Sequence, residues 1–187
     1  SETCIITMDD IWKLYKNRFP TNIDVYFVKS LEEKELEKDI SKFKNYKMVI
    51  GFGGGQALDI AKYFSWKCNL KLFQFPTSIS VDAVFGHRSG IRREGNVSYI
   101  GWAIPECVFF DYEIIQSAPK IYNYSGIGDV LCFYTGVLDW QYANKQSKCE
   151  EKWSYKPELA SKSLSYVDDL LFNAENIREM NEKGINT

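Results

Sequence analysis

The sequence has no apolar run of about 18 residues, the length that a membrane-spanning helix requires. It also begins without the basic and short apolar stretches of a signal peptide. We therefore expect neither a membrane span nor a membrane partner. A basic excess is missing too, since the formal net charge is −2 and the pI is near 5.6. This balance leaves no basic face for a general nucleic-acid partner.

Paired cysteines are absent as well. The five cysteines form no C-x-x-C pair, and their odd number does not suggest a disulfide framework. Most of them lie in apolar stretches, so we predict reduced, buried thiols and a cytoplasmic location. These residues are Cys4, Cys68, Cys107, Cys132 and Cys149.

The bulk composition is that of a globular protein. Hydrophobic residues make up 45% of the 187 positions and charged residues 26%. This length suffices for one sizeable core, or for one domain and part of a second. Aromatic residues reach 16%, and bulky rings fill cores and also occur often at subunit interfaces.

Strands and helices alternate in the first half of the chain. The hydrophobic pattern predicts strands at 4–7, 24–28, 47–52 and 71–75. It predicts helices at 8–18, 31–44 and 56–68, the second with Ser30 and Glu33 as a capping box. This order is typical of βαβ units, so we expect an α/β fold whose parallel sheet is covered on both faces.

The pattern changes after residue 90. Two β-rich stretches flank Glu94-Gly95-Asn96, which predicts a β-hairpin, and another strand is expected at 108–111. Helical periodicity then predicts one long amphipathic helix from Ser125, marked by Val130, Phe133, Val137, Leu138 and Tyr142. A second helix is predicted at 157–181, with an inward face formed by Leu164, Val167, Leu170, Leu171 and Ile177. The composition shift near Ile121 is our candidate domain boundary, which divides the chain into an α/β domain, 1–120, and a helical region, 121–187.

Gly53-Gly54-Gly55 lies between the third strand and its helix. Such a turn exposes backbone N–H groups at a helix N-terminus, where the helix dipole favours an anion. Glycine admits close approach of a pyrophosphate because it has no Cβ. A plain strand-to-helix turn would need the same residues. The spacing is not G-x-G-x-x-G and follows the third strand, so the usual dinucleotide fingerprint is not met.

Four further segments complete a recognisable pattern. They are Pro76-Thr77-Ser78-Ile79-Ser80-Val81-Asp82, the segment 105–111, Ala118-Pro119 and Gly126-Ile127-Gly128-Asp129. With the glycine turn, in this order and at these distances, they resemble the iron/zinc-dependent alcohol dehydrogenase superfamily. That superfamily includes glycerol dehydrogenase, sn-glycerol-1-phosphate dehydrogenase and 3-dehydroquinate synthase. The sequence is most similar to the glycerol-1-phosphate dehydrogenase branch, in which an Asp-Trp pair like Asp139-Trp140 also follows the Gly-Asp motif.

The resemblance implies that 1–120 is a Rossmann-like nucleotide-binding domain and that 121–187 is the start of an all-α metal and substrate domain. It also implies a role for each segment. The three glycines would hold the pyrophosphate of NAD or NADP, and Asp59 and Lys62 would order the helix that follows them. Asp82 would lie near the substrate hydroxyls, and Asp129 would be the first ligand of a Zn²⁺ or Fe²⁺ ion that polarises the substrate oxygen. The cofactor-binding residues would also include Asp59, and the cofactor would be lined by Thr77, Ser78 and Ser80.

Each of these residues also has a local interpretation. Asp82 and Asp129 are suited to helix N-caps, and Thr77 and Ser80 to a turn. Lys62 is equally consistent with a solvated surface charge. Asp59 would then pair with it locally at i, i+3.

One departure from the family pattern concerns the metal. The superfamily's ion is held by one aspartate and two histidines, and the histidines follow the aspartate by roughly one hundred residues. This sequence has a single histidine, His87, which we do not assign as a ligand because Zn²⁺ requires three or four. We expect His87 to be partly buried. The helical domain is thus expected to be truncated, with an exposed apolar face that needs a homo-oligomer or a complementing chain.

The pattern leaves three functions open. The first is NAD(P)- and metal-dependent oxidation or reduction of a small polyol or polyol phosphate, for which Arg88, Arg92 and Arg93 would supply positive charge. The second is a catalytically silent nucleotide-binding fragment that docks on a partner. The third is a cyclase similar to 3-dehydroquinate synthase. Asp9 and Asp10 follow Met8 after the first strand and leave the choice between NAD and NADP open.

Overall fold

The computed structural model describes all 187 residues, Ser1–Thr187. The chain forms two compact units, Ser1–Ile115 and Gln116–Thr187. In the first unit, five strands form one sheet and two more form a separate hairpin. The sheet strands are β1 Thr3–Thr7, β2 Asp24–Phe27, β3 Met48–Gly53, β4 Lys71–Pro76 and β7 Cys107–Val108. The helices of this unit are α1 Asp9–Tyr15, α2 Glu33–Phe43, α3 Gly55–Cys68 and α4 Tyr112–Ser117, which extends past its end.

The sheet has the strand order β2-β1-β3-β4-β7, and every neighbouring pair is parallel. The predicted α/β fold with a parallel sheet is confirmed, and the four predicted strands agree with β1 to β4. The connection from β1 leads to β2 on one side of β1, whereas the strands from β3 onward lie on its other side. The carboxyl ends of β1 and β3 therefore flank the topological switch point, where open α/β sheets bind ligands.

Side chains alternate between the two faces of β1. Cys4 and Ile6 pack on one face with residues of α2 and α3, whereas Ile5 packs on the other face with residues of α1 and α4. Within the first layer, the rings of Phe43 and Phe64 stack with their centroids 3.9 Å apart. Both faces of the sheet are thus covered, and truncation of either ring to alanine should cost about 3–5 kcal/mol.

Helix α2 begins later than the sequence indicated. Its N-cap is Glu32, and no side chain caps it. The predicted capping box is wrong, because the Ser30 hydroxyl accepts a hydrogen bond from the Glu32 amide at 3.1 Å instead. Ser30 therefore stabilises the turn before the helix, two residues ahead of the N-cap.

The hairpin consists of β5 Ser89–Arg93 and β6 Asn96–Ile100, as predicted. Its two central residues, Glu94 and Gly95, have φ values of 53° and 79°. Positive φ at both positions is the requirement of a type I′ turn, which matches the twist of the flanking strands. The Arg92 amide donates to the Leu31 carbonyl at 2.8 Å, which joins the hairpin to the segment before α2.

The second unit is helical. Its helices are α5 Lys120–Lys145, α6 Pro157–Phe172, α7 Ala174–Glu179 and α8 Glu182–Asn186. Helix α5 packs on α6, and Leu170, Ile177 and Met180 form a small core. No helix in the structure is both long and apolar enough to cross a membrane.

Two predictions for the helical region are wrong. The single helix at 157–181 is broken at Asn173 and again at Met180, which has a φ of 54° and is followed by Asn181, the N-cap of α8. The predicted apolar face of α5 is also mostly uncovered: of the five residues that marked it, Val137 is buried and Val130 half-buried, and the other three are exposed. Leu171, likewise predicted inward, is 61% exposed.

The cysteines are free, as predicted, but they are not uniformly buried. Cys4 is buried in β1, whereas Cys107 and Cys132 are exposed. Cys107 is in the short edge strand β7, and Cys132 is on a side of α5 that the rest of its unit leaves exposed.

Candidate functional site

The glycine turn lies at the carboxyl end of β3, beside the switch point. Gly53 ends the strand with a φ of 152°, a value that side-chain-bearing residues rarely adopt. A Cβ on Gly53 would also lie 2.9 Å from the Cβ of Ala57. Gly53 is therefore required by the backbone itself, whatever binds in front of it.

Gly54 is different, since its backbone is extended and its surroundings are open. It is the N-cap of α3 and has a φ of −82°. The nearest atom to a Cβ built on Gly54 is the Ser78 hydroxyl at 3.8 Å. The fold would therefore tolerate a side chain here, although that side chain would fill the space in front of the helix.

No side chain caps the N-terminus of helix α3. The first N–H groups of a helix have no partner within it, and they carry about half a positive charge from the helix dipole. In α3 these groups belong to Gly55, Gln56 and Ala57, and the 14-residue helix behind them is long enough for a full dipole. Open space at Gly54 and an uncapped helix together form a cradle suited to an anion such as a pyrophosphate.

The predicted hydroxyl residues follow the neighbouring strand β4. Gly53 is paired with Pro76, and the Thr77 amide donates to the Gly53 carbonyl at 3.0 Å, which extends the pairing beyond the sheet. The Ser78 hydroxyl donates to that of Ser80 at 3.3 Å. The structure thus brings Thr77 and Ser78 beside the glycine turn.

The carboxyl end of β1 contributes residues that the motifs did not identify. Ile6 pairs with Gly51 on β3, so Thr7 lies beside the glycine turn and is fully buried. The strand order alone identifies Thr7, since it ends the other strand of the switch point. The next carboxylate, that of Asp9, forms an ion pair with Lys13.

Asp59 and Lys62 are one and two turns into α3, away from its N-terminus. The Lys62 side chain is 1% exposed, and its Nζ lies 2.8 Å from an oxygen of Asp59. The interpretation of Lys62 as a solvated surface charge is therefore wrong, whereas the local pair with Asp59 is present. Burial raises the pKa of Asp59, opposed by the Lys62 ammonium and by the Gly90 amide.

Asp82 begins the short 3₁₀ helix Asp82–Val84, whose N-cap is Val81. The N-cap interpretation of Asp82 is therefore wrong. The Asp82 carbonyl accepts hydrogen bonds from the amides of Phe85 and Gly86. The Asp82 carboxylate is close enough to Asp59 to contribute to the raised pKa of that group.

A family model described as iron-containing alcohol dehydrogenase matches residues 13–119. The chain belongs to the iron-containing alcohol dehydrogenase family. This confirms the resemblance inferred from the motifs.

Individual proteins agree with this assignment. The glycerol-1-phosphate dehydrogenase [NAD(P)+] of Pyrococcus abyssi is 33% identical over 175 residues, which cover 91% of this chain and 49% of that protein. The corresponding protein of Pyrococcus horikoshii is 32% identical, with 96% of this chain and 51% of that protein covered. The chain thus spans about half the length of the curated relatives it matches.

The solved structures show the same fold. Glycerol dehydrogenase from Schizosaccharomyces pombe superposes with a TM-score of 0.75 at 21% identity, covering 98% of this chain and 51% of that one. A probable glycerol dehydrogenase from Sinorhizobium meliloti 1021 has a TM-score of 0.74 at 18% identity, covering 94% of this chain and 50% of that one.

The family's metal cannot be placed on these residues. No group of three or more His, Cys, Asp or Glu side chains lies together anywhere in the 187 residues. Asp129 lies within α5 rather than at its start, so the N-cap interpretation of Asp129 is wrong too. Its carboxylate could supply one ligand, but the other donors that a metal site requires do not surround it. We therefore derive no catalytic step through a metal.

The single histidine and the three arginines lie near the hairpin. His87 is exposed, contrary to the expected partial burial, and its ring centroid lies 4.7 Å from that of Trp102. Arg93 forms an ion pair with Glu33, and Arg92 donates to the Gly95 carbonyl within the hairpin. Two of the arginines proposed for a phosphorylated substrate thus have structural roles, and Arg88 is the remaining candidate.

Proposed function

We propose that this chain provides the nucleotide-binding half of an NAD(P)- and metal-dependent oxidoreductase that acts on a small polyol phosphate, such as glycerol 1-phosphate. The observation that supports this proposal most is the cradle at the glycine turn: an uncapped helix N-terminus with open space at Gly54. The substrate class rests on the similarity to the dehydrogenases of the two Pyrococcus species.

The cradle determines what the chain's own groups would do. Backbone N–H groups of Gly55 and its neighbours would donate to pyrophosphate oxygens, favoured by the dipole of α3. The hydroxyls of Thr77, Ser78 and Ser80 would hydrogen-bond the ribose or the nicotinamide amide. When bound, the nicotinamide would accept or donate the hydride. Asp82 would accept a hydrogen bond from a substrate hydroxyl and orient it.

Two assignments change after the geometry is considered. Asp59 was expected to bind the cofactor and, with Lys62, to order the helix of the cofactor site. Because Asp59 and Lys62 bond to each other, we assign neither of them to direct contact with the nucleotide. We therefore propose Gly53, Gly54, Gly55, Thr77, Ser78 and Ser80 as the cofactor-binding residues, and Asp129 as one ligand of the divalent ion.

Two domains with separate roles are part of the proposal, a nucleotide-binding domain at 1–120 and the start of a metal and substrate domain at 121–187. We also propose a cytoplasmic location, since all five cysteines are free. Self-association or association with a complementing chain would cover apolar side chains of α5 and α6 such as Tyr142 and Leu159, which are 66% and 51% exposed. Light scattering after size exclusion tests the association, and a monomer at every concentration would contradict it.

The nucleotide proposal is tested by calorimetric titration of the chain with NADH and with NADPH. We expect saturable binding of both nucleotides, because the relatives' names include both. Gly54→Asp should abolish binding, since its carboxylate would occupy the cradle and repel the pyrophosphate. Gly136→Asp is the matched control, because a Cβ at this exposed position of α5 has no atom within 4 Å.

The outcomes separate the site from the fold. Binding lost in Gly54→Asp and retained in Gly136→Asp supports the cradle. A folded wild-type chain that binds neither nucleotide contradicts the proposal. Equal binding in wild type and Gly54→Asp would place the nucleotide elsewhere.

A further inference from the structure

Lys62 is a buried cation whose bonding capacity is entirely used within the protein. Its Nζ donates to the carbonyl oxygens of Ala83, Gly86 and Arg88 at 2.8, 3.0 and 2.7 Å. The Asp59 carboxylate lies a further 2.8 Å away. An ammonium group has three N–H donors, and four acceptors already compete for them, so none remains for a ligand.

The three carbonyl acceptors all belong to one segment, Asp82–Arg88, which we call the Asp82 loop. The spacing of the acceptors means that Lys62 contacts the start, the middle and the end of this loop. At the start of the loop, two amides converge on the Asp82 carbonyl, and at its end the His87 carbonyl accepts from the Ala103 amide at 2.9 Å. The loop is thus held through its main-chain carbonyls, three of which accept from the Lys62 side chain.

The connection made by Lys62 is between two parts of the candidate site. Lys62 is on α3, the helix whose N-terminus forms the nucleotide cradle, and the loop begins with the candidate substrate residue Asp82. Without this connection, movement of the loop would displace Asp82 relative to the cradle. The Lys62 ammonium has three N–H donors and a charge, so it suits three converging carbonyls and a carboxylate together.

We propose that Lys62 is a positioning residue that fixes the Asp82 loop to α3, so that Asp82 keeps a defined place relative to the nucleotide cradle. This inference rests on the proposed function for the role of Asp82. Lys62 then acts on the substrate side of the reaction through the loop, and it makes no contact with the nucleotide. Asp59 neutralises the ammonium and is not itself a cofactor ligand.

The single histidine provides a spectroscopic probe of the loop. His87 lies within it, with its ring centroid 4.7 Å from that of Trp102, so the ring current of Trp102 should shift the His87 imidazole proton resonance from its free value. In Lys62→Met, whose side chain is uncharged and one atom shorter, we expect this resonance to move to the position of an unstructured histidine. In Asp59→Asn, which leaves the three carbonyl bonds in place, we expect it to stay at the wild-type position.

The nucleotide titration supplies the second readout. NADH should bind Lys62→Met with a Kd within about twofold of wild type, whereas Gly54→Asp should lose binding with an unchanged His87 resonance. An unchanged His87 resonance in a folded Lys62→Met would overturn the proposal. So would a loss of NADH affinity of about tenfold or more in that variant, because Lys62 would then serve the nucleotide.

Hydrogen exchange of the wild-type protein covers the case in which Lys62→Met does not fold. The Phe85 and Gly86 amides should exchange about as slowly as amides within α3, since Lys62 joins the two segments. Exchange at these two amides faster than in α3 by about a hundredfold would refute the connection. A wild-type chain that binds no NADH would sink the proposed function alone, since the His87 and exchange data are collected without nucleotide.

Discussion

Removal of the buried Lys62 charge should destabilise the fold strongly. Lys62→Met leaves the Asp59 carboxylate, 18% exposed, without its cation and deprives three carbonyls of their donor. Breaking a buried ion pair by removing one partner costs about 3–5 kcal/mol. We expect about 3 kcal/mol, the lower end, because Asp59 retains some contact with water.

A double-mutant cycle separates the ion pair from the carbonyl bonds. Asp59→Asn should cost less than Lys62→Met, since the ammonium keeps its three carbonyl partners. The double variant should be more stable than the sum of the single effects implies, with a coupling of about 1–3 kcal/mol. Urea unfolding followed by circular dichroism measures all four proteins, with unchanged m-values as the test of a two-state transition. A cost below about 1 kcal/mol for Lys62→Met would refute the reasoning, since it would mean that the ammonium is hydrated in solution.

Two further predictions concern titratable groups of the same unit. Burial raises the pKa of the Cys4 thiol to about 12. Iodoacetamide at neutral pH should therefore modify the exposed Cys107 and leave Cys4 intact until the protein is unfolded. Peptide mass spectrometry measures the order of modification, and modification of Cys4 before Cys107 would contradict this prediction. Hydrogen bonds from Arg93 hold the pKa of Glu33 below its ordinary value of 4.5. The stability that this pair contributes is therefore present above pH 4.5 and is lost as the pH falls through the lowered pKa. Arg93→Gln should be less stable than wild type at pH 7 and equal to it in acid. The control Arg88→Gln should match the stability of wild type at every pH. A stability difference for Arg93→Gln that does not change with pH would exclude the link between this pair and the titration of Glu33.

The sheet could be predicted because its strands are buried on both faces. Such strands are mainly apolar stretches, and a helix such as α2 has clear periodicity, with Leu36 and Phe43 buried seven residues apart. The hairpin was predictable from Glu94-Gly95, since a two-residue turn with positive φ favours glycine. The order of the strands was not, because pairing between β1 and β3 depends on contacts distant in sequence.

The helical unit was predicted less well, and the reason is physical. Periodicity indicates which face of a helix is apolar, but it does not indicate whether another element covers that face. In α5 the apolar residues are mostly exposed, so the predicted inward face is not a buried one. The break at Met180 was missed because methionine has no preference for the left-handed conformation that ends α7.

The residues of the candidate site were likewise predicted only in part. Motif spacing identified the glycine turn and the residues after β4, since both follow strands that were predicted correctly. It did not reveal that Lys62 is buried or that Asp59 faces it, because a charged pair at i, i+3 usually lies on a helix surface. It also missed Thr7, whose place beside the turn follows only from the pairing of β1 with β3.

The most direct test of the nucleotide cradle is an amide map of the ¹⁵N-labelled chain titrated with NADH. If the cradle holds the pyrophosphate, the largest shift changes should be at Gly54, Gly55 and Gln56, followed by Thr77 and Ser78, because their N–H groups would meet the phosphates or lie beside them. Shift changes confined to other segments, or none in a folded chain at saturating NADH, would contradict the account.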